Sequence, residues 1–108
     1  MAFTAFHNIN TATDGVDIQL INYGENASNI KSILLTNIDN AAITASLYLQ
    51  DFSTGTKYYL LYEVSLPVGA SLLLDNDDML KFNNNSTGYS LNLTMGSASD
   101  LINILISK

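Results

Sequence analysis

A chain of 108 residues has room for one domain and one core, and it must hold that core without cysteine, so neither a disulfide framework nor a thiolate metal site is open to it. Ten acidic residues against four basic ones give a net charge of −6; the lysines (Lys31, Lys57, Lys81, Lys108) are scattered and arginine is absent, which disfavours a nucleic-acid surface. The amino terminus lacks the basic segment and apolar run of a secretory signal, and no apolar run approaches the roughly 20 residues of a membrane helix, so neither export by the general pathway nor a membrane partner is expected.

Read in order, Phe3 to Ile9 has weak strand character and is followed by a loop from Thr11 to Gly15. "VDIQLI" alternates Val16, Ile18 and Leu20 with Asp17 and Gln19. Gly24, Asn26 and Asn29 then break the chain before "IKSILLTN", which is apolar on both sides at Ile33, Leu34 and Leu35. Asn37, Asp39 and Asn40 make a polar elbow, after which Ile43, Ala45, Leu47 and Leu49 alternate with Thr44, Ser46, Tyr48 and Gln50. "TKYYLLYEVSL" places Tyr58, Leu60, Tyr62 and Val64 on one face and Lys57, Tyr59, Leu61 and Glu63 on the other. Pro67 and Gly69 then suit the second and last positions of a type I turn over Leu66 to Gly69. "ASLLL" and "DMLKF" read as short strands across the acidic elbow Asp75 to Asp78, and "NNNSTG" as a loop tip. "GYSLNLTM" turns Tyr89, Leu91, Leu93 and Met95 inward, and "LINILIS" closes with Ile102, Ile104 and Ile106 on one face.

Strand signals spaced about ten residues apart, with no long helix to make parallel crossovers, predict an all-β fold. The expected architecture is an antiparallel β-sandwich, Ig-like or jelly-roll-like, of about eight strands. Residues 1–15 read as an N-terminal arm or edge strand and residues 16–108 as a single sandwich domain. Apolar residues on both faces of the 31–38 and 57–66 strands exceed what one core needs, so either a partner or long loops cover them.

The chemistry is sparse. His7 is the lone histidine, has no nucleophile-elbow sequence near it, and reads as a partly exposed strand or arm residue. One histidine and no cysteine cannot supply a zinc site. Asp75, Asn76, Asp77 and Asp78 are hard oxygen donors, but they lack the spacing of a calcium loop and read as a solvated tip, as do Asp14, Gly15 and Asp17. Paired carboxylates for glycoside cleavage would need a cleft that so small a domain rarely forms. The expectation is therefore no enzyme, no catalytic residue, no metal and no cofactor. Asn84-Asn85-Ser86, Asn85-Ser86-Thr87 and Asn92-Leu93-Thr94 match the N-glycosylation pattern by chance in an Asn-rich chain. Six tyrosines invite a carbohydrate-stacking reading, with Tyr48 and Tyr59 outward and Tyr58, Tyr62 and Tyr89 inward.

The succession "IKSILLTNIDNAAITASLYLQD", "YYLLYEVSLPVGASLLL", "LKF" and "GYSLNLTMGSASDLINILIS" resembles a family of small β-sandwich virion structural proteins of tailed bacteriophages, especially those of marine cyanobacteria. Members typically carry an "I-x-S-I-x-L-T-N" strand, a polar elbow, a "V-x-L-Y-L" strand, "I-P-x-G-x-x-L-x-L" and a closing "G-x-x-L-x-V … V-x-V-x-I-S" hairpin. The likeness covers roughly residues 30–108; Met1 to Asn29 stand outside it. It implies a virion protein made in the host cytoplasm, a multi-copy capsid decoration or cement protein. The alternatives are a tail, neck or fibre subunit, or a carbohydrate-binding module, for which a row of exposed aromatics on one sheet would speak. The implied partners are other virion proteins and further copies of the chain. The candidate interface residues are Phe3, Phe6, Ile33, Leu35, Tyr48, Tyr59 and Leu61, with Phe3 and Phe6 on the arm.

Overall fold

The computed structural model describes residues 3–25, 30–76, 80–97 and 99–107, with side chains from Phe6 onward. Its strands are β1 (Phe3–Asn10), β2 (Asp17–Ile21), β3 (Ser32–Asn37), β4 (Ile43–Asp51), β5 (Lys57–Leu66), β6 (Ser71–Leu74), β7 (Tyr89–Met95) and β8 (Leu101–Ser107). A single helical turn, α1 (Thr11–Asp14), follows β1; the Asn10 side chain caps it by accepting from the Ala12 N–H at 3.1 Å.

The strands form two four-stranded sheets, in the orders β1-β8-β3-β6 and β2-β7-β4-β5, and every pairing is antiparallel. First pairs with last, second with second-to-last, and so inward to the β4–β5 hairpin, with successive pairs going to alternate sheets. The chain is thus doubled back on itself and rolled, which is the jelly-roll arrangement of a two-sheet sandwich. Of the two expected topologies, the Ig-like one is set aside by this order, because an Ig domain pairs its first two strands in the same sheet.

Alternation decides the core. Ile33 and Leu35 of β3, Ala45 and Leu47 of β4, Leu91 and Leu93 of β7, and Ile102, Ile104 and Ile106 of β8 are buried between the sheets. Two expectations about local structure change. "DMLKF" is not a strand where it is described: the Leu80 N–H donates to the Asn76 carbonyl four residues back, and Leu80 fills the core. The turn after β5 is shifted by one residue, closed by the Ala70 N–H on the Pro67 carbonyl, so that Gly69 at φ 73° takes the third position, where a positive φ favours glycine. Residues 3–10 form an edge strand, β1, laid along β8.

Strand β5 departs furthest from simple alternation. Between its pairings with Ala45 and Leu47 it advances from Val64 to Leu61, and between Leu47 and Tyr48 from Leu61 to Tyr59, one residue more than β4 each time. These are bulges on an edge strand, and each flips the side-chain phase. Glu63 in the first bulge has φ 49°, the sole non-glycine with positive φ among the described residues, and its N–H donates to Ser46 Oγ at 2.8 Å.

Candidate functional site

The two outer faces differ in chemistry. No residue of β1, β8, β3 or β6 is Asp, Glu, Lys or Arg, although the chain carries a net charge of −6. On the outer face of this sheet, registry aligns Phe6 with Leu105, Leu105 with Leu34, and Leu34 with Leu73. The result is an apolar row crossing all four strands, about 14 Å from end to end at the usual strand spacing. Phe6 is 67% exposed and Leu73 51% at its two ends, while Leu34 and Leu105 are half-buried between them. A polar row runs beside it: Asn8 Nδ2 donates to Asn103 Oδ1 at 2.9 Å, and Thr36 Oγ1 and Ser71 Oγ lie 2.9 Å apart. These polar groups satisfy one another across strands.

The outer face of the other sheet is aromatic at one edge and polar across the rest. Registry lines up Tyr59, Tyr48, Asn92 and Gln19 in one row, and Ser46, Thr94 and Asp17 in the next, with Tyr62 and Glu63 at the β5 edge. Tyr48, although outward, is only 2% exposed. Its ring lies 5.5 Å from that of Tyr59 and beneath Lys57 Nζ at 4.8 Å, and its hydroxyl donates to Asp17 Oδ1 at 2.6 Å. Burial foremost, then the Asp17 hydrogen bond and charge, push the Tyr48 phenol up to about 12. Tyr59 meets Tyr62 edge to face at 4.9 Å; they are 45% and 64% exposed. Beside the Glu63 bulge is a shallow depression of about 80 Å³, lined by Thr44, Ser46, Glu63, Thr94, Met95 and Gly96.

The candidate interface residues divide. Phe6 and Tyr59 lie on the surface. Ile33 and Leu35 do not: both are fully buried, and the outward apolar residue of β3 is Leu34. The phase was legible, since Ser32, Leu34 and Thr36 share one parity in "SILLTN" and the two polar residues mark the outer side. Leu61 turns toward Leu47 and packs on the core, because the bulges reverse the phase of β5. For the same reason Tyr62 faces outward and not inward. Tyr48 is an outward residue covered by its neighbours and offers little surface. The Phe3 side chain lies outside the described residues.

His7 pairs with Ile104 on the core side of the sheet edge, half-buried, and burial lowers its pKa against the opposing charge of Glu25. Of the acidic elbow, Asp77 and Asp78 lie outside the described residues, and no cluster of three His, Cys, Asp or Glu side chains able to hold a metal occurs among those described. Asn84 is buried, its Nδ2 donating to the carbonyls of Asn22 and Tyr89, which removes it as a glycan acceptor.

No protein-family model matches this chain, and no curated protein matches it. Among solved structures it is similar to the Anabaena sensory rhodopsin transducer, over 99% of this chain and 96% of that one, with a TM-score of 0.49 and 11% identity. It is also similar to a chain of the virus-like particle of extra small virus from the giant freshwater prawn Macrobrachium rosenbergii, over 98% of this chain and 80% of that one, with a TM-score of 0.25 and 12% identity. Neither likeness assigns an activity to this chain.

Proposed function

We propose that the chain is a non-enzymatic building block of a phage virion, a multi-copy capsid decoration protein that binds the shell protein through the outer face of the β1-β8-β3-β6 sheet. The observation that carries this reading is the Phe6–Leu105–Leu34–Leu73 row on a sheet without charged residues. An acidic chain docks most cheaply through the face where no carboxylate must be desolvated or opposed by another. Each apolar side chain that such docking buries fully contributes about 1.5–3 kcal/mol before ordering costs, so one copy binds weakly. Repetition over a shell then multiplies the effect. The segment read as an arm contributes Phe6 from a paired edge strand, already ordered before docking.

The test uses particles lacking the native protein. Added chain is expected to occupy regular sites on the capsid in an electron-microscopy reconstruction, with the Phe6 side of the sandwich toward the shell. The double variant Phe6→Ser, Leu73→Ser is expected to lose occupancy while melting cooperatively. Density at the tail, neck or fibre would replace the decoration reading with that of a tail-associated subunit, and unchanged occupancy of the double variant would remove this face from the interface.

A further inference from the structure

We propose that the outer face of the β2-β7-β4-β5 sheet binds a saccharide, with a sugar ring packed on Tyr62 and one substituent of that ring seated in the depression between Thr44, Ser46, Glu63 and Thr94. This goes beyond the docking role of the opposite sheet and does not depend on it.

The depression and the aromatic edge of β5 that precedes Glu63 offer the two kinds of surface that a sugar needs. The C–H face of a pyranose is apolar and packs on an aromatic ring, and its rim of hydroxyls requires groups that both accept and donate. Tyr62 supplies the ring, exposed on the outer face and steadied edge-on by Tyr59. The polar groups beside it are unused. The Glu63 carboxylate and the Thr44 hydroxyl have no hydrogen-bond or ion-pair partner among the described residues, and Ser46 Oγ accepts the Glu63 N–H while its own proton has no acceptor there. This contrasts with the adjoining Tyr48–Asp17–Thr94 group, whose polar atoms are bonded to one another. The depression offers about 80 Å³ and is open to solvent on one side. It therefore takes a hydroxymethyl or acetamido substituent, and the ring itself must lie outside, over Tyr62.

Backbone geometry points to the same residues. Glu63 occupies the left-handed region at φ 49°, a strained backbone conformation where glycine or asparagine sits more comfortably. The bulge that imposes it brings Glu63 to the lining of the depression. A small organic cation fits less well. Lys57 already sits over Tyr48, and the perpendicular Tyr59 and Tyr62 rings do not converge their faces as a cation cage does.

The experiment is an amide chemical-shift titration of the full chain with glucose, galactose, N-acetylglucosamine and short α- and β-linked oligomers of each, at up to tens of millimolar. The expected result is saturable shifts for at least one of these probes, confined to Thr44, Ser46, Tyr62, Glu63 and Thr94. Tyr62→Ala and Glu63→Gln should each weaken binding about tenfold or more, as expected when a stacked ring or a charged hydrogen-bond acceptor is removed. Glu63→Gly relieves the backbone and should melt no lower than the parent while losing the sugar, which separates binding from folding. Phe6→Ser on the opposite sheet should bind like the parent. The proposal is overturned if no probe gives saturable shifts at these residues, if Tyr62→Ala binds unchanged, or if choline shifts them and the sugars do not.

Discussion

The Tyr48 hydroxyl on β4 reaches across β7 to Asp17 on β2, donating at 2.6 Å to the same carboxylate oxygen that Thr94 of β7 bonds at 3.1 Å. Three strands of one sheet are tied through a single oxygen atom. Removing the hydroxyl in Tyr48→Phe leaves Asp17 with Thr94 alone and is expected to cost about 1–2 kcal/mol, the range for a hydrogen bond to a charged group near the surface, read as a lower urea midpoint with an unchanged slope. The same pair sets an alkaline limit. A phenol that titrates at about 12 in the fold and near 10 when unfolded contributes stability fully present below pH 10 and lost as pH rises from 10 through 12. Tyr48→Phe should lack that decline, and in the parent Tyr48 should titrate late.

Asn37 is a bracket. Its Nδ2 donates to the carbonyls of Ala41, Leu66 and Pro67 at 2.9, 3.0 and 3.1 Å, and its Oδ1 accepts from the Asp39 N–H at 2.8 Å. Asn37→Ala strands carbonyls in a buried site and is expected to cost about 2–4 kcal/mol. Asn37→Asp should be worse at neutral pH, since it turns an acceptor toward three acceptors. Equal stability of the two variants in urea titrations would show that the amide donor is not what matters.

Two glycines separate close approach from backbone conformation. A Cβ on Gly88 would run into the Asn83 carbonyl oxygen, which must then move. Gly55, at φ 72°, opens onto empty space and asks only for a left-handed backbone. Gly55→Ala is expected to cost about 1–2 kcal/mol and Gly88→Ala clearly more, both measured by thermal melting.

Asp100 is a buried carboxylate joined to the other end of the chain. Its N–H donates to Thr11 Oγ1 at 2.7 Å, and its carbonyl accepts from the Thr11 N–H at 3.0 Å. Burial raises its pKa, opposed by the Ser97 N–H bond and reinforced by the charge of Asp39. A carboxyl raised in the fold stabilises most when protonated, and that contribution is lost as pH rises through the folded value. Asp100→Asn should therefore melt at or above the parent at neutral pH, and the difference should close as pH falls below the carboxylate range.

Strands whose alternation is unbroken were legible. In β4 and β8, the parity of Ile43, Ala45 and Leu47, and of Ile102, Ile104 and Ile106, told which side was buried. Strand β5 was not, because its bulges exist only relative to β4, and nothing local in "TKYYLLYEVSL" announces two extra residues or a left-handed Glu63. Tyr62 therefore came out on the wrong face, and with it the aromatic edge of the second sheet. Asn37 read as an elbow residue because its carbonyl partners lie as far as 30 positions away. Jelly-roll and Ig-like topologies place the same strands in the same chain order and differ in long-range pairing, which alternation does not encode.

The doubled-back chain also dictates an order of assembly. Cross-strand contacts of the four pairs span 17 residues at Ser46–Glu63, 35 at Thr36–Ser71, 77 at Asp17–Thr94 and 95 at Asn8–Asn103, each loop enclosing the one before. Closing the outermost pair first would fix a loop of nearly the whole chain, whereas closing the hairpin first makes every later loop a short extension of structure already formed. The β4–β5 hairpin is thus the natural nucleus, and a nascent chain cannot complete β1–β8 until its last strand has left the ribosome. Transition-state analysis should find high φ-values at Ala45 and Leu47 and low ones at Ile9 and Ile104, with folding in milliseconds to seconds as non-local β topologies require.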